Sequence, residues 1–276
     1  YSLCDEIKEL ILELTFARES SFIAVRRIID SLQRKPLEKL VTRLNGEFQP
    51  NTHDDIARVL SGIIGTHGKT KKSTFPITPL FGNSMNYACG EAGIANGLVQ
   101  LGHMDFDKNF TETCSLFSTS IPVGLYTGWG GCIWSLAESG NCFLGEELYQ
   151  KHCRTSIKLN EHSFFAGRAG LLMLAIRMFD ATQNTCYYDD ARMIADSIMQ
   201  EYDYMNNQHI GLMRGNAGVA LSMLAAYCLF YDSKYIEYGK TLLDRDLEFS
   251  FTDEEKIGFP AKKGSNTVLP YFMEGT

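Results

Sequence analysis

Five short turns carry different side chains at one shared position. The residue just before the turn glycine is Cys89 in CGEAG (89–93), Thr127 in TGWGG (127–131), Ala166 in AGRAG (166–170), Arg214 in RGNAG (214–218) and Glu274 in the terminal EGT. A guanidinium stays protonated at any working pH, so Arg214 can hold an anion by charge-assisted hydrogen bonds, or it can ion-pair with a neighbouring carboxylate. Glu274 can act as an acid/base or as the partner of Arg214. His162 and His209 lie a few residues upstream of two of the turns and titrate in the range useful for proton transfer. Tyr126 and Tyr271 sit beside turns, where a phenol can either donate a hydrogen bond or pack. Trp129 and Arg168 fall within the turns themselves.

The spacing of the turns says what must position these groups. Gly-x-x-Gly recurs with first glycines Gly90, Gly128, Gly167 and Gly215, at intervals of 38, 39 and 48 residues, and Gly275 begins a fifth copy. A fixed period of this length is the mark of a repeat architecture. Each turn runs into a mostly apolar segment, IANGLVQLG, CIWSLAESG, LLMLAIRMF or VALSMLAAY, whose apolar residues fill nearly every side of a helix. Between these lie amphipathic stretches, for example Tyr188 to Tyr202 with Ala191, Ile194, Ala195 and Ile198 at helical spacing. One inner and one outer helix per unit follows. Glycine permits close approach of neighbouring helix starts, and inner helices set in a ring would bring every turn to one rim, with the positive ends of several helix dipoles facing a common basin. The predicted fold is all-α, an α/α toroid with its working cavity at that rim. A helical solenoid that uses glycine only for tight packing would give the same repeat. A nucleotide-binding reading has less support, because no β-rich run precedes any turn.

Composition narrows the function classes. The chain of 276 residues has 26 basic and 33 acidic side chains, a formal charge of −7, and no long basic run, which argues against general attraction to nucleic acid or anionic lipid. No apolar stretch reaches the roughly 20 residues that cross a bilayer, and no signal-peptide pattern opens the chain, so the expected compartment is the cytoplasm. The eight cysteines are scattered singly, without a CxxC pair, which favours free thiols. The six histidines show no HxxxH pairing.

The segments IPVGLYTGWGGCIWSLAESG (121–140), SFFAGRAGLLMLAIRMF (163–179), GLMRGNAGVALSMLAAY (211–227) and TVLPYFMEGT (267–276), with FPITPLFGNSMNYACGEAGIANGLVQLG (75–102) before them, resemble repeats of the lanthionine synthetase C-like family. More narrowly, the wording is similar to the cyclase domain of class III lanthipeptide synthetases, in which a lyase and a Ser/Thr-kinase-like domain precede the cyclase. On that resemblance residues 73–276 form a cyclase toroid incomplete at its C-terminus. Residues 1–72 are then a helical segment joining a preceding kinase domain to it, and the methionine-free start reflects a longer enzyme. Zinc-bearing members of the family hold the metal with Cys-x-Gly and Cys-His-Gly at such turns. Here the two residues before each turn glycine are Ala88-Cys89, Tyr126-Thr127, Phe165-Ala166, Met213-Arg214 and Met273-Glu274. No cysteine stands two places before a turn glycine and no histidine one place before, and Cys89 is out of register and reads better as a buried thiol. Zinc needs three or four N/S ligands in tetrahedral array. A site without metal or other cofactor is what the class III resemblance implies, with ATP or GTP and magnesium confined to the kinase domain.

The resemblance further implies a ribosomal precursor peptide as substrate, bearing dehydroalanine or dehydrobutyrine, to which a peptide cysteine adds to form lanthionine or labionin rings. A thiol of pKa about 8.5 is only partly ionised at neutral pH, so addition needs a base or a positive field, and the resulting enolate needs donors and a proton. Arg214 is then the candidate to hold the thiolate, the enolate or a peptide carboxylate. Glu274, Tyr126, His162 and His209 are candidates for proton transfer or donation. Arg168, Trp129 and Tyr271 are candidates for binding the peptide, Arg168 alternatively facing solvent and Trp129 as a cavity wall. Partners implied are the peptide, the lyase and kinase domains of the same polypeptide, and a homodimer through the full-length enzyme, with no nucleic acid and no membrane. A domain that only binds and shapes the peptide while the other domains do chemistry is the alternative. A carbohydrate-active toroid would need paired carboxylates in its cavity, where the turns supply only Glu91 and Glu274.

Overall fold

The computed structural model describes residues 85–88, 90–100, 121–157, 159–253 and 256–265, together with Phe110, Cys114 and Val268 singly. Residues 1–72, Cys89, Tyr271 and Glu274 lie outside the described residues, and so do the expectations placed on them.

Seven α-helices are described: α1 (Glu91–Gln100), α2 (Trp129–Glu138), α3 (Cys142–Leu148), α4 (Arg168–Thr182), α5 (Thr185–Glu201), α6 (Asn216–Phe230) and α7 (Ser233–Leu247). A π-turn, Tyr149–Cys153, and a 3₁₀ turn, Arg154–Ser156, continue α3. A two-stranded antiparallel hairpin, β1 (Phe251–Asp253) and β2 (Lys256–Gly258), follows α7. The elements of the described residues are thus helical apart from that hairpin. None of the described helices is long and apolar enough to cross a membrane.

Every Gly-x-x-Gly turn opens a helix of the same layer. In that layer α1 packs on α2, α2 on α4 and α4 on α6, while α3, α5 and α7 lie behind α2, α4 and α6. Burial follows the order of the layers. The helices after the turns are buried on most sides, with Leu171, Leu172, Leu174, Ala175 and Met178 of α4 inside, whereas α5 and α7 bury one stripe each. On α5 that stripe contains Ala191, Ile194, Ala195 and Ile198, the residues whose spacing predicted it.

The corners between layers repeat as well. α4 and α6 each end on a non-glycine residue in the left-handed region, Gln183 (φ 56°) and Tyr231 (φ 54°). The next residue then caps the following helix: Asn184 accepts from Cys186 N–H, and Asp232 from Lys234 N–H. Such side-chain caps take up backbone donors that a helix start leaves unpaired.

The turns are joined by a backbone ladder. Ala88 N–H donates to Tyr126 O at 3.2 Å, Tyr126 N–H to Phe165 O at 3.0 Å, and Phe165 N–H to Met213 O at 2.9 Å. All four residues stand two places before a first turn glycine, so each turn is bonded to the next through the equivalent atom. The second glycines make this approach possible. A Cβ on Gly170 would overlap the Phe164 carbonyl and Leu125 Cβ, and one on Gly218 the Leu212 carbonyl and Phe164 Cβ. Leu125, Phe164 and Leu212 are again equivalent, each six places before its own second glycine.

Gly218→Ala is expected to destabilise the fold by about 1–3 kcal/mol, because backbone rather than a flexible side-chain end must move. Gly97→Ala on α1, where a Cβ meets nothing within 4 Å, should be neutral or stabilising by up to about 1 kcal/mol. Urea denaturation midpoints of the two variants distinguish these outcomes, and equal midpoints would remove close packing as the reason for the second glycine.

Candidate functional site

The ladder fixes what the four turns present together. Tyr87 and Tyr126 meet edge to face with centroids 5.5 Å apart, Tyr126 stacks on Phe165 at 6.0 Å, and the Arg214 guanidinium lies over the Phe165 ring at 5.7 Å from its centroid. A continuous row, Tyr87–Tyr126–Phe165–Arg214, therefore runs across the starts of α1, α2, α4 and α6. Tyr126 is half-buried, and burial raises its pKa; Tyr87 is pushed up to about 12, by burial first and by Tyr126 next. Both phenols stay protonated at neutral pH and can donate. Arg214 is exposed at the end of the row, so a charged ligand can reach it while the aromatic face beneath limits where it can go.

The other residues singled out in the sequence divide between the core and the flanks. Trp129 is 1% exposed and stacks in parallel on His152 at 4.2 Å. It is internal packing at the start of α2, not a cavity wall. Arg168 is 3% exposed and its Nη1 pairs with Glu201 Oε2 at 2.6 Å, so it points to the end of α5 and does not face solvent. His162 lies against Tyr202, ring centroids 5.2 Å apart, and its pKa is lowered by burial and then by the Arg168 charge. It is therefore neutral at pH 7 and able to accept a proton. His209 N–H donates to Asn207 Oδ1 at 3.1 Å, and its backbone bridges Lys262, so segment 261–263 runs antiparallel alongside 208–210.

The residue after each first glycine is buried in every described turn: Glu91, Trp129, Arg168 and Asn216. For the last three the partner sits where the second-layer segment ends. Trp129 meets His152, Arg168 meets Glu201, and Asn216 Nδ2 donates to Asp246 Oδ1 at 2.8 Å. The third pairing bears directly on Arg214. Gly215, the N-cap of α6, has no side chain to offer, and Asp246 of α7 substitutes for it: Oδ2 accepts Ala217 N–H at 3.2 Å, and the Gly211 amide also donates to the carboxylate. Gly211 itself takes φ 111°, a conformation that suits glycine. The GLMRG turn is thus folded around one buried carboxylate. Desolvation dominates there and pushes Asp246 up to about 6, although the helix-start donors oppose it.

Sequence reading did not single out Asp246, Asn207 or Glu201. Asp246 left a signal, since it continues the buried α7 stripe Tyr235, Gly239, Leu242 and so places an acid where an apolar residue is expected.

Among the described residues no three His, Cys, Asp or Glu side chains stand close enough to hold an ion. The ladder positions two places before the turn glycines carry Ala88, Tyr126, Phe165 and Met213, none of which offers a thiolate or imidazole. These four ladder residues give a zinc ion no ligand.

The fold and the rim define a repeated α-helical hairpin protein whose turns converge on one edge. Residues 166–276 match the family described as Lanthionine synthetase C-like protein, from the AGRAG turn through RGNAG to the terminal EGT. The resemblance read from the turns holds over that part of the chain. No curated protein matches the sequence.

The raised Asp246 pKa carries a sign that can be tested. A carboxyl whose folded pKa lies above its unfolded one contributes stability that is complete below the unfolded value and is lost as pH rises through about 6. Asp246→Asn removes the titration, so the stability gap between the native protein and this variant should shrink from pH 4.5 to pH 7, by about 2 kcal/mol. A gap that widens with pH in urea denaturation would show that the helix start stabilises the anion more than burial opposes it.

Proposed function

We propose that this chain is a thioether-forming peptide cyclase of the class III lanthipeptide synthetases. In this reading it acts without zinc, as an α/α toroid within a lyase–kinase–cyclase polypeptide. The observation that carries the proposal is Arg214, exposed at the end of an aromatic row in the slot where zinc-bearing relatives place histidine. The family match over residues 166–276 supports this reaction class.

The reaction joins two parts of one dehydrated peptide. The cysteine sulfur gives up its proton and attacks Cβ of a dehydroalanine or dehydrobutyrine; a C–S bond forms, the C=C π pair moves onto Cα and the adjacent carbonyl as an enolate, and Cα then takes a proton. The peptide gains and loses no atoms. In a labionin the enolate attacks a second dehydroalanine before it is protonated. Arg214 holds the negative charge as it passes from sulfur to oxygen, helped by the adjoining helix starts. Tyr126, whose pKa burial raises, is the candidate to donate to the enolate oxygen. His162, neutral at pH 7 but turned toward Tyr202, and His209 are the described candidates to take the thiol proton. Glu274 and Tyr271, which lie outside the described residues, are the further candidates that the sequence offers. The ring row and Arg214 form the surface that receives the peptide.

Arg214→Ala is expected to slow ring closure of a pre-dehydrated precursor by about 100-fold, in line with loss of one donor to a developing anion, and Arg214→Lys should recover only part of the rate. Mass spectrometry after thiol alkylation counts the unclosed cysteines. An unchanged rate and unchanged stereochemistry in Arg214→Ala would mean that the domain binds and shapes the peptide without catalysing closure. Stoichiometric zinc in the purified protein would overturn the metal-free mechanism.

A further inference from the structure

Asn207 lies in the loop between α5 and the RGNAG turn, and its amide uses its polar atoms in three directions. Nδ2 donates to Tyr202 Oη at 2.7 Å and to the Arg214 carbonyl at 3.2 Å, and Oδ1 accepts the His209 N–H at 3.1 Å. From Tyr202 the chain of bonds continues inward: its hydroxyl donates to Asn216 Oδ1 at 2.7 Å, and Asn216 donates to Asp246. The amide therefore connects the exposed turn to a carboxylate that is 4% exposed at the junction of α6 and α7.

The arrangement matters because of the side chain that follows. An arginine loses rotamer freedom when held in one place, and no side-chain contact can aim it if its own backbone moves. Asp246 holds the turn at Gly211 and Ala217, on either side of Arg214. Asn207 holds the carbonyl of Arg214 itself. A network whose members each satisfy the next is rigid as a unit.

We propose that Asn207 is a positioning residue for Arg214: it anchors the Arg214 carbonyl to the buried Tyr202–Asn216–Asp246 chain, so that the guanidinium is held over the rim row when negative charge develops. The inference rests on the role given to Arg214 under Proposed function. Asn207 touches no substrate in this account, and it acts only through the arginine. Positioning of a group that binds the transition state more tightly than the ground state raises kcat with little change in KM.

The test uses the full enzyme, a pre-dehydrated precursor peptide, and the variants Asn207→Ala, Arg214→Ala and the double substitution, with Asn207→Ser in place of Asn207→Ala should the latter fold poorly. Asn207→Ala is expected to lower kcat about 10-fold with KM changed less than about twofold. In the Arg214→Ala background it should have no further effect, since coupled residues are non-additive. An equal loss in both backgrounds, or a loss confined to KM, overturns the proposal. A second readout separates it from the cyclase reading. Arg214→Cys carrying a nitroxide spin label should show a sharper, more mobile spectrum when Asn207 is also replaced by Ala. If Arg214→Ala leaves ring closure unchanged while the label is freed, the catalytic role of Arg214 fails and the anchoring stands. If the label spectrum does not respond, the anchoring fails whatever the kinetics show.

Discussion

A single kind of hydrogen bond sets the geometry of the described turns: in three successive steps the amide two places before a first turn glycine donates to the carbonyl at the same place in the next turn. Successive helix starts are thereby held a ladder step apart, closer than side chains packed between helices would allow. The rest follows from that separation. The second glycines Gly131, Gly170 and Gly218 have to lack a Cβ, because the backbone of the same turn and a side chain of the preceding one already fill the space. The residue after the first glycine is forced inward, where it meets the second layer. The residue before it remains at the edge, and at the fourth turn that residue is Arg214.

Repetition and chemistry are divided between adjacent positions. Backbone contacts are the same from turn to turn and tolerate varied side chains, which is why Ala88, Tyr126, Phe165 and Met213 can all occupy the ladder. Side chains at the edge can then change without disturbing the frame. The aromatic row beneath Arg214 uses two ladder positions, so the same residues that carry the frame also form the floor under the charged group.

Much of the architecture was legible because its signals are local. Close approach at Gly-x-x-Gly, the apolar helices after it and the α5 stripe depend on a few neighbouring residues. What sequence reading misplaced were side chains whose partners lie far along the chain. A tryptophan within a turn suggests a cavity wall, yet Trp129 meets His152. An arginine there suggests peptide or solvent, yet Arg168 meets Glu201. Both sit at the start of a helix, where a sequence shows a turn and conceals which way the first side chain points. Asn207 and Asp246 were missed for a similar reason, since an Asn in a loop and an Asp in an amphipathic helix look like ordinary polar surface until the turn is seen to wrap around them.

The three described pairings between first and second layer use unrelated chemistry at one architectural place: a parallel ring stack at Trp129–His152, an ion pair at Arg168–Glu201, and an amide–carboxylate bond at Asn216–Asp246. Backbone geometry that repeats so closely invites errors of register, in which one hairpin closes against the wrong neighbour. These pairs act as addresses. Arginine brought to Asp246 would match its charge, but Asn216 or Trp129 brought to Glu201 would forfeit the ion pair, and His152 presents a ring face that stacks on Trp129 instead of the two carboxylate oxygens that Asp246 offers. A chain made of nearly interchangeable units can in this way fold each unit onto itself, and exchanging hairpins between repeats would require moving both members of a pair together.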